Sequence, residues 1–397
     1  MAVGALPARA DMPYGTGGPA YHVGAGITPN DLAGDGNDWK FAATPEPGNA
    51  NIGDPKELNG VRGASIADPS ATAQTAWQIT TGRPDVTIAV LDSGIRWDDA
   101  KAMLDLRMKV RLNKGELPKP NTLGPQLDTQ IPCPTGGTPG TIADYACDSR
   151  VRFDSRRAGP TYSGGAPMLT PQDLIITFSD TTPGQKVWDG AGKDNDGNGY
   201  VNDIAGWDFL DNDNDPYDDV HYGHGTGEAL DSSAEANNGG QTGSCPNCTV
   251  VPLRVGDSFV ADVNRFAQAT LYAVDNNVLV VQEALGTLNK SKLAGDAVEY
   301  AYRHGVAIVA SAADEAAQHH NWPSNYPHTI VVNSVNKYET LWFPSDTPPA
   351  NRSYLQFNGC TNFGSHVTVA IPSSSCSSNA TGVGAGMAGL IYSAALN

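Results

Sequence analysis

Val86–Leu91 reads VTIAVL and runs directly into Asp92-Ser93-Gly94. An unbroken apolar and β-branched run, with no polar alternation, is the pattern of a strand covered on both faces. Similar runs follow at Val250–Val255 (VVPLRV), Val278–Gln282 (VLVVQ), Val306–Ala310 (VAIVA), Thr329–Val335 (TIVVNSV) and His366–Ala370 (HVTVA). Between them lie segments with helical character. Ala71–Thr80 reads as a short helix. Val260–Asn276 places Phe266, Thr270 and Ala273 on one face. Asp296–His304 is closed by Gly305, and Ala385–Ala395 is rich in small residues. Strands alternating with helices predict an α/β fold, with a mostly parallel central sheet and helices on both faces. In such sheets ligands bind beyond the carboxyl ends of the strands. Asp92 stands at one of those ends.

The chain has 397 residues, 40% hydrophobic and 17% charged, with a net charge of −18. That length buries a substantial core without staples. The negative charge excludes a phosphate-neutralising surface, so no nucleic-acid partner is expected. No apolar run reaches membrane-spanning length. The N-terminus lacks the charged and apolar regions of a signal peptide. Residues 1–70, rich in Gly, Pro, Ala, Asn and Asp, read as an extended arm or a prosegment remnant, and residues 71–397 as the folded domain. The six cysteines fall into close pairs, Cys133/Cys147, Cys245/Cys248 and Cys360/Cys376. Short disulfide loops in an oxidising, extracytoplasmic compartment account for them better than reduced core thiols or a metal site at Cys245-Pro246-Asn247-Cys248.

Two residues carry candidate chemistry at strand and helix ends. Asp92 is placed to orient an imidazole. His224 lies in Gly223-His224-Gly225-Thr226-Gly227, where small neighbours allow it to approach a carboxylate and a nucleophile. The acidic stretch 194–219 reads DNDGNGYVNDIAGWDFLDNDNDPYDD. Asp194, Asp196 and Asn198 alternate as oxygen ligands, Gly199 permits a sharp turn, and Tyr200 offers a carbonyl, as in calcium loops. No glutamate closes the loop, so Asp203 or Asp208 is expected to do so. Calcium is the expected cofactor, with a plain solvated acidic loop as the alternative.

Taken in order, these motifs resemble the subtilisin-like (subtilase) family. Asp92-Ser93-Gly94 follows a strand, His224-Gly225-Thr226 opens a helix, and a strand ends at Ala284-Leu285-Gly286. Ala310–Glu315 (ASAADE) resembles the family's Ala-Gly-Asn-Glu stretch. Tyr326-Pro327, Asn362-Phe363-Gly364 and Pro372 match later family segments. The resemblance covers residues ~71 to 397. It implies peptide-bond hydrolysis, a polypeptide substrate, and a substrate-binding edge at Ala284, Leu285 and Gly286.

The departures from the family are as informative. The family's Gly-Thr-Ser-Met-Ala motif is followed by a helix Gly eight residues after the serine. Counting back from Gly389 puts Thr381 in the serine slot. A β-branched nucleophile is stiff at χ1 and crowds the reacting carbon. Asp314 occupies the position of the oxyanion-stabilising Asn, where only a protonated carboxyl can donate. Gly227 and Ala284 replace a His and a Ser. The resemblance therefore implies catalytic residues Asp92, His224, Thr381 and Asp314, with peptidase activity impaired or lost and a polypeptide-binding cleft retained. The alternative is an endopeptidase acting through Thr381. The last helix ends near the final residue, earlier than the family leads one to expect, which suggests a fragment, a processed product or a shortened variant.

Overall fold

A computed structural model describes residues 76–134, 140–154, 159–179, 192–236, 238, 240–259, 261–319, 321–336, 356–357, 359–373 and 375–396. The arm expected at 1–70 lies outside the described residues. Strand β1 (Thr87–Asp92) is buried at every position. It pairs in parallel with β3 (Thr249–Arg254) on one side and β4 (Val280–Glu283) on the other. The sheet continues through β5 (Ala307–Ser311) and β6 (Thr329–Asn336), with β2 (Trp207–Asp208) outside β3. β6 also takes β7 (Gln356–Phe357), which is antiparallel, and β8 (Val369–Pro372), which is parallel. The mostly parallel α/β sheet anticipated from the apolar runs is therefore present.

The period-two alternation of each strand sends side chains to two separate cores. Ala89 and Leu91 of β1 pack with Phe266, Ala269 and Ala273 of α5 (Val263–Asp275) and with Ala297, Val298 and Ala301 of α6 (Lys292–Arg303). Ile88 faces the other way, joining Val280, Val309 and Val332 against Ala380, Val383 and Leu390 of α7 (Ser377–Ala395). Val90 points to that second side too, where it meets Met103 and Leu106 of α2 (Ala100–Leu106), Leu174 of α3 (Pro171–Phe178) and Ala229 of α4 (His224–Ser233). A short helix α1 (Ala76–Ile79) precedes β1. Among the described residues no helix is long and apolar enough to cross a membrane.

One boundary differs in a way that matters. The last helix was expected from Ala385, but α7 begins at Ser377. Its N-terminal part crosses α4 closely because the contact residues are glycines. A Cβ on Gly382 would lie 2.6 Å from Asp231 Cβ, and one on Gly386 would overlap Ser244 Oγ. Glycine costs about 1 kcal/mol per position in a helix, so local propensity hides the helix while the packing requires it. All three cysteine pairs are bonded: Cys133–Cys147, Cys245–Cys248 and Cys360–Cys376.

Candidate active site

Asp92 ends β1 and His224 opens α4, so both stand at the carboxyl edge of the sheet. Gly225 makes their approach possible. A Cβ there would lie 2.6 Å from the Gly94 carbonyl oxygen and 2.9 Å from Asp92 Cβ. With that space free, His224 Nδ1 lies 2.9 Å and 3.0 Å from the two carboxylate oxygens of Asp92. Ser93 donates its backbone N–H to Asp92 Oδ1 at 2.7 Å, which fixes the carboxylate in turn. Asp218 accepts the backbone N–H groups of Tyr222 at 3.1 Å and Gly223 at 2.5 Å, anchoring the chain just before His224.

Burial disfavours a charged His224 ring, but the negative charges of Asp92, then Glu228 and Asp314, outweigh it. The ring's pKa is pushed up to about 9. Glu228 lies one helical turn beyond His224, fully buried, and its Oε2 accepts Gln282 Nε2–H at 3.0 Å. Glu283, next along β4, is also fully buried, and neither of its oxygens has a hydrogen-bond partner among the described residues. Burial, reinforced by Asp92 and Glu228, drives the Glu283 carboxyl well above the usual range. Burial likewise raises the Glu228 carboxyl above its ordinary value, so two desolvated carboxyls lie behind His224.

Opposite this pair lies the start of α7. Its N-cap, Cys376, makes no side-chain cap hydrogen bond. Asp314, from the loop after β5, takes that role. Ser377 donates both its backbone N–H, at 2.9 Å, and its hydroxyl, at 2.5 Å, to Asp314 Oδ1. Ser311 Oγ lies 2.6 Å from Ser377 Oγ, and since Ser377 donates to Asp314, Ser311 donates here. A carboxylate at a helix N-terminus is favoured by the exposed N–H groups and the macrodipole. Asp314 is preceded by Ala313 at φ 71°, a left-handed conformation that costs an alanine about 1 kcal/mol or more. Burial raises the Asp314 carboxyl above its ordinary value, against the two hydrogen bonds from Ser377.

The sequence profile of the subtilase family matches residues 83–397. The chain belongs to the subtilase family. A thermophilic serine proteinase of Bacillus sp. (strain AK1) is 34% identical over 143 residues, 35% of this chain and 34% of that one. Thermitase of Thermoactinomyces vulgaris is 34% identical over 137 residues, 34% of this chain and 48% of that one. The chain thus spans between a third and a half of the length of these curated relatives. The solved structure of sphericase superposes with a TM-score of 0.44 at 16% identity, over 79% of this chain and 78% of that one.

Within this subtilase the residue that the count from Gly389 puts in the serine slot, Thr381, lies inside α7. Thr381 is fully buried inside α7, and its hydroxyl donates to the Ser377 carbonyl at 2.8 Å. A hydroxyl spent on its own helix backbone, away from solvent, reaches no substrate. Two registers are open, because Gly386 and Gly389 are three residues apart on one helix face and both pack tightly. A Cβ on Gly389 would lie 2.8 Å from Cys248 Sγ. Gly386 also stands eight residues after a serine, Ser378, and that count aligns Ser378-Asn379-Ala380 with the family's Ser-Met-Ala. Ser378 is half-buried in the first turn of α7, with its Oγ 3.4 Å from the Ala284 carbonyl oxygen. Ser377 is excluded as the reacting group, being fully buried and engaged by Asp314 and Ser311.

Ala284 and Leu285 are buried, and Gly286 exchanges backbone hydrogen bonds with the 256–261 loop, donating to the Phe259 carbonyl and accepting from Ala261 N–H, both at 3.0 Å. Of the expected calcium ligands, Asp194 and Asp196 converge with Glu116, their carboxylate oxygens within 4.8 Å of one another. Glu116 was missed because it comes from a distant loop. Asp203 is engaged otherwise: Tyr272 O–H donates to it at 2.6 Å, and Asn113 and Asn198 at 2.7 Å and 2.9 Å. Burial pushes its carboxyl up to about 7. The Asn198 oxygen accepts Tyr200 N–H at 2.8 Å, and the Tyr200 ring packs edge-on against Trp207, Phe209 and Tyr272. Asp208 belongs to a different group. Buried Arg254, at the end of β3, pairs with Asp208 at 2.6 Å, Asp211 at 3.2 Å, Asp219 at 2.6 Å and Asp257. For much of the acidic loop the neutralising cation is therefore an arginine of the sheet.

Proposed function

We propose that this chain is a serine endopeptidase in which Ser378 is the nucleophile, His224 the general base and Asp92 the residue that orients it. The observation that carries the reading is the pairing of a buried, internally bonded Thr381 with a half-buried Ser378 at the start of the same helix. With Asp92 holding Nδ1, the other ring nitrogen of His224 is left to take the Ser378 proton as its oxygen attacks the scissile carbonyl. His224 then returns that proton to the leaving amine. Backbone N–H groups at the α7 N-terminus stabilise the resulting oxyanion. Asp314 departs from that scheme: its Oδ1 is an acceptor for Ser377, so it serves first as an anchor of the helix end. Whenever ionised it weakens the positive potential there, which supports a slow rather than an absent activity.

Two accessory features belong to the same reading. Glu116, Asp194 and Asp196 offer hard carboxylate oxygens suited to calcium, and a bound ion would tie the 113–117 loop to the 194–203 loop. The three disulfides fit an extracytoplasmic protein. Casein hydrolysis tests the proposal. Activity that survives Thr381→Val but disappears in Ser378→Ala and His224→Ala supports it. A wild-type protein that cleaves nothing at any pH, yet binds peptides, replaces it with a non-catalytic polypeptide-binding role.

A further inference from the structure

The helices that carry the proposed base and nucleophile run side by side and step together. Gly386 of α7 lies against Ser232 of α4, where an added Cβ would be 2.7 Å from the Ser232 carbonyl oxygen. One turn earlier in both helices, Gly382 lies against Glu228. An added Cβ there would be 3.2 Å from both the carbonyl oxygen and Oε2 of Glu228. One further turn back in each, the same step reaches Ser378 and His224. The Glu228–Gly382 contact is therefore the layer beneath the gap that, on the proposed reading, the Ser378 proton crosses. Glu228 is also tied down from the sheet. Gln282 of β4 donates from Nε2 to the Glu228 carbonyl at 2.9 Å and to Oε2 at 3.0 Å. Gln282 is itself buried, and its Oε1 has no partner among the described residues, so Glu228 is what holds this side chain. The glutamate belongs to α4, is pinned to β4 and has α7 resting on its carboxyl. A buried carboxyl in a seam of glycines is unfavourable by itself, and a positional task accounts for it.

We infer that Glu228 is a positioning residue: wedged between α4 and α7 and pinned by Gln282, it sets the distance from Ser378 to the His224 ring. The inference rests on reading Ser378 as the nucleophile and His224 as the base. Proton transfer along a hydrogen bond tolerates little error, and a misplacement of about 1 Å costs about 10²-fold in rate. Removing the wedge lets α7 settle toward α4, and a methyl at residue 382 lifts it away. Either change spoils the line between hydroxyl and imidazole. Glu228 and Gly382 are both buried, so neither meets the substrate, and the damage should fall on kcat and leave KM in place.

The test measures kcat and KM on a chromogenic peptide above about pH 9, where the base is neutral. Wild type is compared with Glu228→Ala, Glu228→Gln and Gly382→Ala, and with Ser378→Ala as the control for the reading itself. Glu228→Ala and Gly382→Ala should each lower kcat by about 10²-fold with KM within about three-fold. Glu228→Gln keeps the length of the wedge and an acceptor for Gln282, so it should hold kcat within about three-fold of wild type. Circular dichroism and thermal melts score folding. If Glu228→Ala or Gly382→Ala does not fold, Gln282→Met decides: it removes the pin, leaves Glu228 in place, and should lower kcat by about ten-fold. Wild-type kcat in the deciding variants, a loss that appears in KM instead of kcat, or a Glu228→Gln as slow as Glu228→Ala would overturn the inference. A wild-type protein without hydrolysis, or hydrolysis that survives Ser378→Ala, would instead overturn the reading on which it rests, and the inference with it.

Discussion

Asp92 and His224 meet through the ends of two rigid elements, whereas Ser378 sits on a helix end that is fastened from outside, by Asp314 at Ser377 and by Cys360 at Cys376. The first side of the cleft is orthodox and self-sufficient. The second relies on a carboxylate, Asp314, that grips the helix end. On the proposed reading, the nucleophile's position and the oxyanion's stabilisation both depend on Asp314, so a change that improves one endangers the other.

The largest effect should come from the nucleophile itself. Ser378→Ala should lower kcat by about 10⁴-fold or more, measured on a chromogenic peptide. Thr381→Val removes only an internal helix hydrogen bond, so kcat should stay within about two-fold and stability within about 1 kcal/mol. Reversed results would return the reaction to Thr381. The next effect separates the two duties of Asp314. Asp314→Asn keeps an acceptor for Ser377 and supplies an amide donor, so kcat should rise by about 10²-fold. Asp314→Ala leaves Ser377 N–H and hydroxyl unpaired, which should cost about 1–3 kcal/mol of stability by denaturant unfolding. If Asn and Ala behave alike, the anchoring role is wrong.

On the orthodox side, pH is the probe. With the His224 pKa near 9, the ring is charged at neutral pH and cannot accept the Ser378 proton. The logarithm of kcat/KM should therefore climb with a slope of about 1 until pH 9. Stability runs the opposite way. A histidine whose folded pKa is raised contributes stability that is complete below its unfolded value, ordinarily 6.5, and is lost as pH rises through about 9. Glu228→Gln removes one of the charges responsible, so the activity profile should move to lower pH. An unmoved profile would show that Asp92 acts alone. The smallest effect concerns the acidic loops. Chelation should lower the melting temperature by about 5 °C, and Asp194→Asn or Glu116→Gln should abolish that response. An unchanged melting temperature in the wild type would remove calcium from the account.

The orthodox half was legible in the sequence because its signals are local. VTIAVL can only be a buried strand, and an Asp at its end, followed by a His among glycines, restricts the chemistry. The other half was not, because α7 is written in glycines whose reason lies in α4 and the Cys245–Cys248 loop. Low helix propensity at Gly382, Gly384 and Gly386 hid the helix start, and two glycines a turn apart offered two registers. Glu228 and Glu283 left a readable trace, since Gln282-Glu283 interrupts an apolar strand, but nothing local said that both would be buried behind the base. Arg254 gave no such trace. A cation inside β3 neutralising the Asp208–Asp219 loop is a long-range pairing, and the acidic residues alone suggested a metal.

The most direct measurement of the central claim is covalent labelling with a fluorophosphonate, followed by peptide mapping at pH 9. The label should lie on Ser378, persist in Thr381→Val, and vanish in His224→Ala. Label on Thr381, or none on a protein that hydrolyses casein, would contradict the account.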